Sequence, residues 1–329
     1  MKTKAQGILL LILILCGSVL FAAGEREVDY EAYPQREIRI IVAFGPGGQS
    51  DLIARKIAEI IEKQNMVSQP VVVVNMPGGL TAQALEHTRS AKPDGHTYLL
   101  HHTNILTQNA MGNITLNYDD FDLLGGVVEQ PFAIVRRSDD DRWDSILDFI
   151  NDAKANPRQY SVGFPGFASP AHFALLQVLH ATGAQELIEI VPYDGGAAAI
   201  SAHLGGHVDL RATNMGDSAR YVASGDLEYV IMIDSERNPF YPETPTLSDI
   251  GYEEPGLVLR TGIFAPKGIP EQINTRFMGY VRRAVETDEF RRFANDMSLT
   301  IRLTDSEEFT QAYRVDYASF KELAAELVD

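Results

Sequence analysis

Short apolar runs alternate along most of this chain with stretches in which apolar positions recur every three or four residues. Ile38-Arg39-Ile40-Ile41-Val42-Ala43-Phe44 predicts a strand, and 51–64 predicts a helix that gathers Leu52, Ile53, Ile57, Ile60 and Ile61 on one face. Further strands are predicted at 71–74, 97–100, 132–135, 160–163, 188–191, 208–212 and 229–233. Helical spacing covers 82–90, 145–155, 171–181, 197–204, 271–286 and 306–327. Strands separated by helices predict an α/β fold whose sheets are mostly parallel and flanked by helices.

Four of these strands end in the same way. Phe44-Gly45-Pro46-Gly47-Gly48, Asn75-Met76-Pro77-Gly78-Gly79, Phe164-Pro165-Gly166 with Ser169, and Tyr193-Asp194-Gly195-Gly196 each place a glycine turn between a strand and a helix start. Glycine lets the backbone approach a ligand closely, and a helix start offers unpaired N–H groups at the positive end of its dipole. Any one of these turns alone is an ordinary strand-to-helix connection. Two in each half of the chain predict two lobes facing each other across a cleft, because ligands of open α/β sheets bind at the carboxyl ends of strands. Anions bind such helix starts through backbone donors. Asp51, in the first helical turn after Gly47-Gly48, fits either a brace for the turn's amides or a group that meets a ligand ammonium or a bridging water.

The chain opens with a basic start (Lys2, Lys4), the apolar run 8–15, and small residues at Ala22-Ala23-Gly24 before Glu25. That is the order of a secretory signal peptide over 1–24, with cleavage near 22–24; the apolar stretch is short of the ~20 residues of a spanning helix. Acidic sequence from Glu25 to Tyr33 reads as a linker. Cys16 is the only cysteine. Leu15 before it fits a lipidation signal badly, although a lipid anchor there is an alternative. A mature chain of about 305 residues therefore has neither disulfide nor thiolate chemistry, and must be held together by its core. The net charge of −17 opposes nucleic acid and anionic membranes. It leaves an anionic ligand open, because local donors act inside the ~8 Å screening length.

No phosphate-binding loop, nucleophile elbow or dinucleotide fingerprint occurs. His101 and His102 adjoin on a strand end and are expected on opposite faces. Gly205-Gly206 interrupts the spacing of His203 and His207. Ser169 with His172 reads as a helix-start serine and a packed histidine rather than a nucleophile and its base. Asp139-Asp140-Asp141 reads as a solvated turn. Neither an enzyme nor a metal site nor a cofactor is expected.

The residues from Tyr33-Pro34 through Phe44-Gly45-Pro46-Gly47-Gly48-Gln49-Ser50-Asp51 resemble the opening of the tripartite tricarboxylate transporter substrate-binding family, the Bordetella uptake or Bug proteins. Pro93-Asp94-Gly95-His96-Thr97-Tyr98-Leu99-Leu100, Val191-Pro192-Tyr193-Asp194-Gly195-Gly196, Leu204-Gly205-Gly206-His207-Val208-Asp209, Pro242-Glu243-Thr244-Pro245-Thr246-Leu247 and 262–270 are similar to its later segments, in the family's order. The resemblance implies a two-lobed periplasmic-binding-protein fold, with lobe 1 over 29–127 plus 262–329 and lobe 2 over 128–261. It implies a small organic carboxylate as ligand and integral membrane transporter subunits as partners, and with the leader a periplasmic protein is expected, as a monomer. A ligand-sensing protein signalling to a membrane kinase is the alternative. The implied ligand-binding residues are Phe44, Gly47, Gly48, Gln49, Ser50 and Asp51 in the first loop and Asn75, Gly78, Gly79 and Thr81 in the second. Thr103, Ser169, Gly195, Gly196 and Asn214 are the candidates beyond those loops. Leu80 and Thr81 stand where the family's second loop usually has glycines, Ala168 where it often has glycine, and Arg260 where it often has tryptophan. Arg211 is a further cation without an evident partner.

Overall fold

A computed structural model describes residues 32–252 and 256–328. The segment read as a leader, Cys16 included, lies outside them. Tyr33 is no part of a linker: it is buried, and its hydroxyl donates to the Gly95 carbonyl at 2.7 Å.

The first half-sheet is built on β1 (Ile38–Val42), β2 (Val71–Asn75) and β3 (Thr97–His102), parallel in the order β2-β1-β3. β-Branched residues dominate β1 and β2, and β1 is enclosed on both faces, which suits a covered parallel sheet. α1 (Gln49–Lys63) lies over β1 and β2 with Ile53, Ile57, Ile60 and Ile61 wholly buried; each such side chain contributes about 1.5–3 kcal/mol. α2 (Ala82–Arg89) and the short α3 (Asn104–Ala110) follow β2 and β3.

β4 (Phe121–Arg137) then runs for 17 residues through the centre of the molecule. The second half-sheet comprises α4 (Ile146–Ala155), β5 (Ser161–Pro165), α5 (Pro170–Thr182), β6 (Glu189–Tyr193), α6 (Gly195–Leu204), β7 (Leu210–Asn214), α7 (Met215–Ala223) and β8 (Leu227–Ile233). β5 pairs in parallel with β6 and β7, while β7 and β8 flank the end of β4 antiparallel. β9 (Val258–Pro266) returns to the first half-sheet, antiparallel to β3 and to Phe121–Pro131 of β4. The chain closes with α8 (Glu271–Val285), α9 (Asp288–Asp296), β10 (Thr300–Ile301) and the 23-residue α10 (Ser306–Val328).

The sheet is therefore parallel at its outer edges and antiparallel through β4 and β9, where the chain crosses between halves. Residues up to Pro131 pair with β9; from Phe132 the same strand pairs with β7 and β8. Proline cannot donate to a ladder, and it stands at the change of partners. α10 packs on both sides of this crossing: the Tyr313 hydroxyl donates to the Arg260 carbonyl at 3.0 Å, and the Phe320 ring meets Phe173 of α5 edge-on at 5.4 Å.

Candidate functional site

α1, α6 and α7 all begin at one cavity of about 660 Å³ between the half-sheets. The first half-sheet contributes Phe44, Pro46, Gly47, Gly48, Gln49, Ser50 and Leu52. The second contributes Gly196, Ala197 and Ile200 from α6, and Asn214, Gly216, Asp217, Ala219 and Arg220 around the start of α7. His102, Leu259, Asp296 and Met297 complete the lining. Cavities of about 910 and 790 Å³ lie over the first turns of α10 and between α8 and α10; neither takes a wall from the second half-sheet.

The first wall is a braced loop. Gly47 adopts φ +80°, Gly48 returns to extended geometry, and α1 starts at Gln49 with no side-chain cap. Asp51 sits behind this turn, 2% exposed, outside the cavity lining. It accepts from the Gly47 amide at 2.8 Å, from Asn75 Nδ2 at 2.9 Å and from Arg55 Nε at 2.9 Å. Burial pushes its carboxyl up, but Arg55, the Gly47 amide and Asn75 together hold it below the usual carboxylate range. Asn75 Nδ2 also donates to the Phe44 carbonyl at 3.0 Å, so the second loop is tied to the first through this residue. The rest of that loop is strained. Leu80 and Thr81, which stand where glycines are usual in the family, adopt φ +54° and +81°. Gly78, Gly79 and Thr81 do not line the cavity.

The second wall joins α6 and α7. α6 starts without a side-chain cap after Asp194, with Gly195 at φ +84°. Asn214 caps α7 by accepting from the Asp217 amide at 3.0 Å, and its Nδ2 donates to Asp217 Oδ2 at 2.8 Å. That oxygen lies 3.1 Å from where a Cβ on Gly196 would stand, so an internal carboxylate already touches the start of α6. Burial raises the Asp217 pKa, against the pull of Asn214 and of the Arg211 charge. Arg211 itself is fully enclosed, and its three side-chain nitrogens meet no acceptor among the described residues. Burial lowers its pKa to about 10, with Asp217 the leading opposing charge.

His102 is a lining residue that the sequence offered only as one of an adjacent histidine pair, not as a ligand contact. Its ring stacks on Phe44 at 4.6 Å, and Nδ1 accepts from the Asn104 amide at 3.2 Å, which puts the ring proton on Nε2. Burial drives its pKa down to about 3, so the ring is a neutral donor at physiological pH. The rings of His101 and His102 lie 5.3 Å apart, and Phe44 packs against both. Among the described residues no group of three or more His, Cys, Asp or Glu is placed to hold a metal.

The remaining candidates lie outside the cavity lining. Thr103 is fully buried, with its hydroxyl directed to the Val258 carbonyl at 3.5 Å. Ser169 caps α5 by accepting from the His172 amide at 3.3 Å, while the His172 ring stacks on Phe164 at 4.3 Å. Asp139 and Asp141 are exposed, but Asp140 between them is buried and gripped by Arg142 at 2.7 Å; the turn is anchored, not merely solvated. Arg260 is held at the strand crossing by Glu129 at 2.5 Å and Asp316 at 2.7 Å, away from the cavity.

The sequence model of the tripartite tricarboxylate transporter family receptor matches residues 53–326. BugT of Bordetella pertussis is 28% identical over 281 residues, spanning 84% of this chain and 85% of its own. A ligand-free TctC solute-binding protein from Polaromonas superposes with a TM-score of 0.74 at 26% identity, over 89% of this chain and 99% of its own. MatC from Rhodopseudomonas palustris, solved with bound malate, shares the fold with a TM-score of 0.76 at 23% identity, over 89% of this chain and all of its own. The family and these structures are substrate-binding proteins rather than enzymes.

Proposed function

The chain belongs to the tripartite tricarboxylate transporter receptor family, and on that premise we propose that it captures a small organic carboxylate in the cleft between its half-sheets. One observation carries this reading: three helix N-termini, two of them without side-chain caps, converge on a single cavity. An acid group docks on the first-turn amides of α1 at Gln49 and Ser50, with the His102 Nε2 proton as a neutral donor beside it. Each charge-assisted hydrogen bond contributes about 1.5–3 kcal/mol. Micromolar affinity needs about 8 kcal/mol net, after ordering costs of several more. One wall is too little, so the second wall, from Gly196 to Arg220, supplies the remainder on closure.

The lobes that close are 29–127 with 262–329, and 128–261, moving about β4 and β9. Gly78, Gly79 and Thr81 join the site on closure over a ligand longer than the cavity's first-turn subsite. The leader at 1–24 exports the protein to the periplasm, where its closed form delivers the acid, as a monomer, to membrane transporter subunits. Native mass spectrometry of freshly purified protein tests the class of ligand by detecting a co-purified acid. Calorimetry over four- to six-carbon dicarboxylates, malate and adipate among them, then ranks affinities. Absence of a retained acid together with no binding tighter than millimolar would overturn the reading.

A further inference from the structure

Gln130 lies on β4 directly before Pro131, where the strand passes from one half-sheet to the other, and it is only 1% exposed. Its two side-chain ends are used on opposite sides of the cleft. Nε2 donates to Gln49 Oε1 at 2.6 Å, on the first residue of α1. Oε1 accepts from the Gly216 amide at 2.9 Å, a first-turn donor of α7 that has no partner within its own helix. The cavity lining includes both Gln49 and Gly216. A Cβ added to Gly216 would stand 2.7 Å from Gln49 Oε1 and 3.1 Å from Gln130 Oε1, so a side chain here would displace the two glutamine ends that join the walls.

We propose that Gln130 is a positioning residue that latches the two walls of the cleft together and orients Gln49 beside the bound acid. The inference rests on the carboxylate-capture reading for its ligand, but the latch itself is a property of the ligand-free protein. An amide suits this position because it donates at one end and accepts at the other, whereas leucine can do neither. A buried glutamine with both ends satisfied also costs the fold little, while separation of the walls strands one end or the other. The latch biases the open–closed equilibrium before ligand arrives, and a ligand that binds only the closed form gains that bias in affinity.

The test uses the mature chain, which carries no cysteine of its own if cleavage falls near 22–24, so spin labels are placed at Lys56→Cys and Arg158→Cys, one on each half. Interspin distances are recorded by pulsed electron resonance for wild type, Gln130→Leu and Gly216→Ala, each checked by thermal unfolding. Loss of two hydrogen bonds is expected to shift the ligand-free population toward longer distances by about five- to 150-fold. Affinity for the co-purified acid is expected to fall by a similar factor, with an unchanged distance at saturation. Gly216→Ala, which has no φ strain to overcome, provides the same reading if Gln130→Leu does not fold. Ligand-free distances identical to wild type in the folded variants would overturn the latch. A shift in ligand-free distances with no carboxylate binding by wild type would retain the latch and overturn the capture reading.

Discussion

Replacing Asp316 by asparagine removes one of the two carboxylates that grip Arg260 at the strand crossing, and its effect depends on pH in a defined direction. Arg260 is 21% exposed and Asp316 10% exposed at their side chains, with Glu129 completing a triad of one cation and two anions. Burial pushes the Asp316 carboxyl up from 3.8 to about 6; Arg260 pulls it down, and Glu129 adds a second negative charge that raises it. Folded Asp316 therefore keeps its proton between about pH 4 and pH 6 while the unfolded chain releases it. Its contribution to stability is fully present below pH 4 and is lost as pH rises through 6. A two-unit shift corresponds to about 3 kcal/mol. Asparagine has no such titration, so the stability of the variant relative to wild type should rise by up to about 3 kcal/mol from pH 4 to pH 7, then level off. Urea unfolding of both proteins at pH 4, 5, 6 and 7 measures that difference, and the carboxylates outside the triad cancel in it to first order. Curves that stay parallel to within about 0.5 kcal/mol would refute the assignment of a buried, proton-retaining carboxyl at the hinge.

Gly48→Val should remain folded, because Gly48 has an ordinary φ of −74° and an added Cβ would meet only the Gly45 carbonyl at 3.4 Å. Its branched side chain enters the cavity, and calorimetry should show a tenfold to hundredfold loss of affinity, consistent with overpacking costs of about 1–3 kcal/mol. Gly78→Val is the less informative probe, since φ is +141° there and a Cβ would stand 2.7 Å from Gln83 Oε1; circular dichroism should show it destabilised whatever its effect on ligand. Asp51→Ala strands the Gly47 amide and Asn75, and urea unfolding should report a loss of about 2 kcal/mol, because half-exposed Arg55 screens its share of the pairing. Arg211→Met combined with Asp217→Asn removes a fully buried cation that meets no acceptor among the described residues and a half-buried carboxylate near it, and calorimetric unfolding should show a gain of about 1–4 kcal/mol; a loss would mean that these two charges hold α6 and α7 in place.

The glycine turns and the helix faces were legible because they are local. Phe44 to Gly48 announces a strand end and a helix start within five residues, and the isoleucines of α1 announce its buried side. The long strand β4 was legible only as 132–135. Gly125, Gly126 and Pro131 break the strand pattern ahead of it, and only the ladder to β9, set by residues more than a hundred positions away, makes Phe121–Arg137 continuous. α7 was missed for a related reason: Asn214-Met215-Gly216 lacks the paired glycines, and its cap is a side chain. Gln130, Asp217 and Arg220 carry no local signature at all, since their place in the cleft depends on how the halves meet. Thr103 and Ser169 stand at strand ends and bond backbone groups, the Val258 carbonyl and the His172 amide, which polar residue type alone does not reveal.

Backbone amide resonances provide the most direct measurement of whether an acid docks on helix starts. Two-dimensional proton–nitrogen spectra of the mature protein, recorded while the co-purified acid is returned to ligand-stripped sample, should show saturable shifts at Gln49 and Ser50 and at Gly196. Saturable binding of that acid with those three amides unmoved would contradict the account.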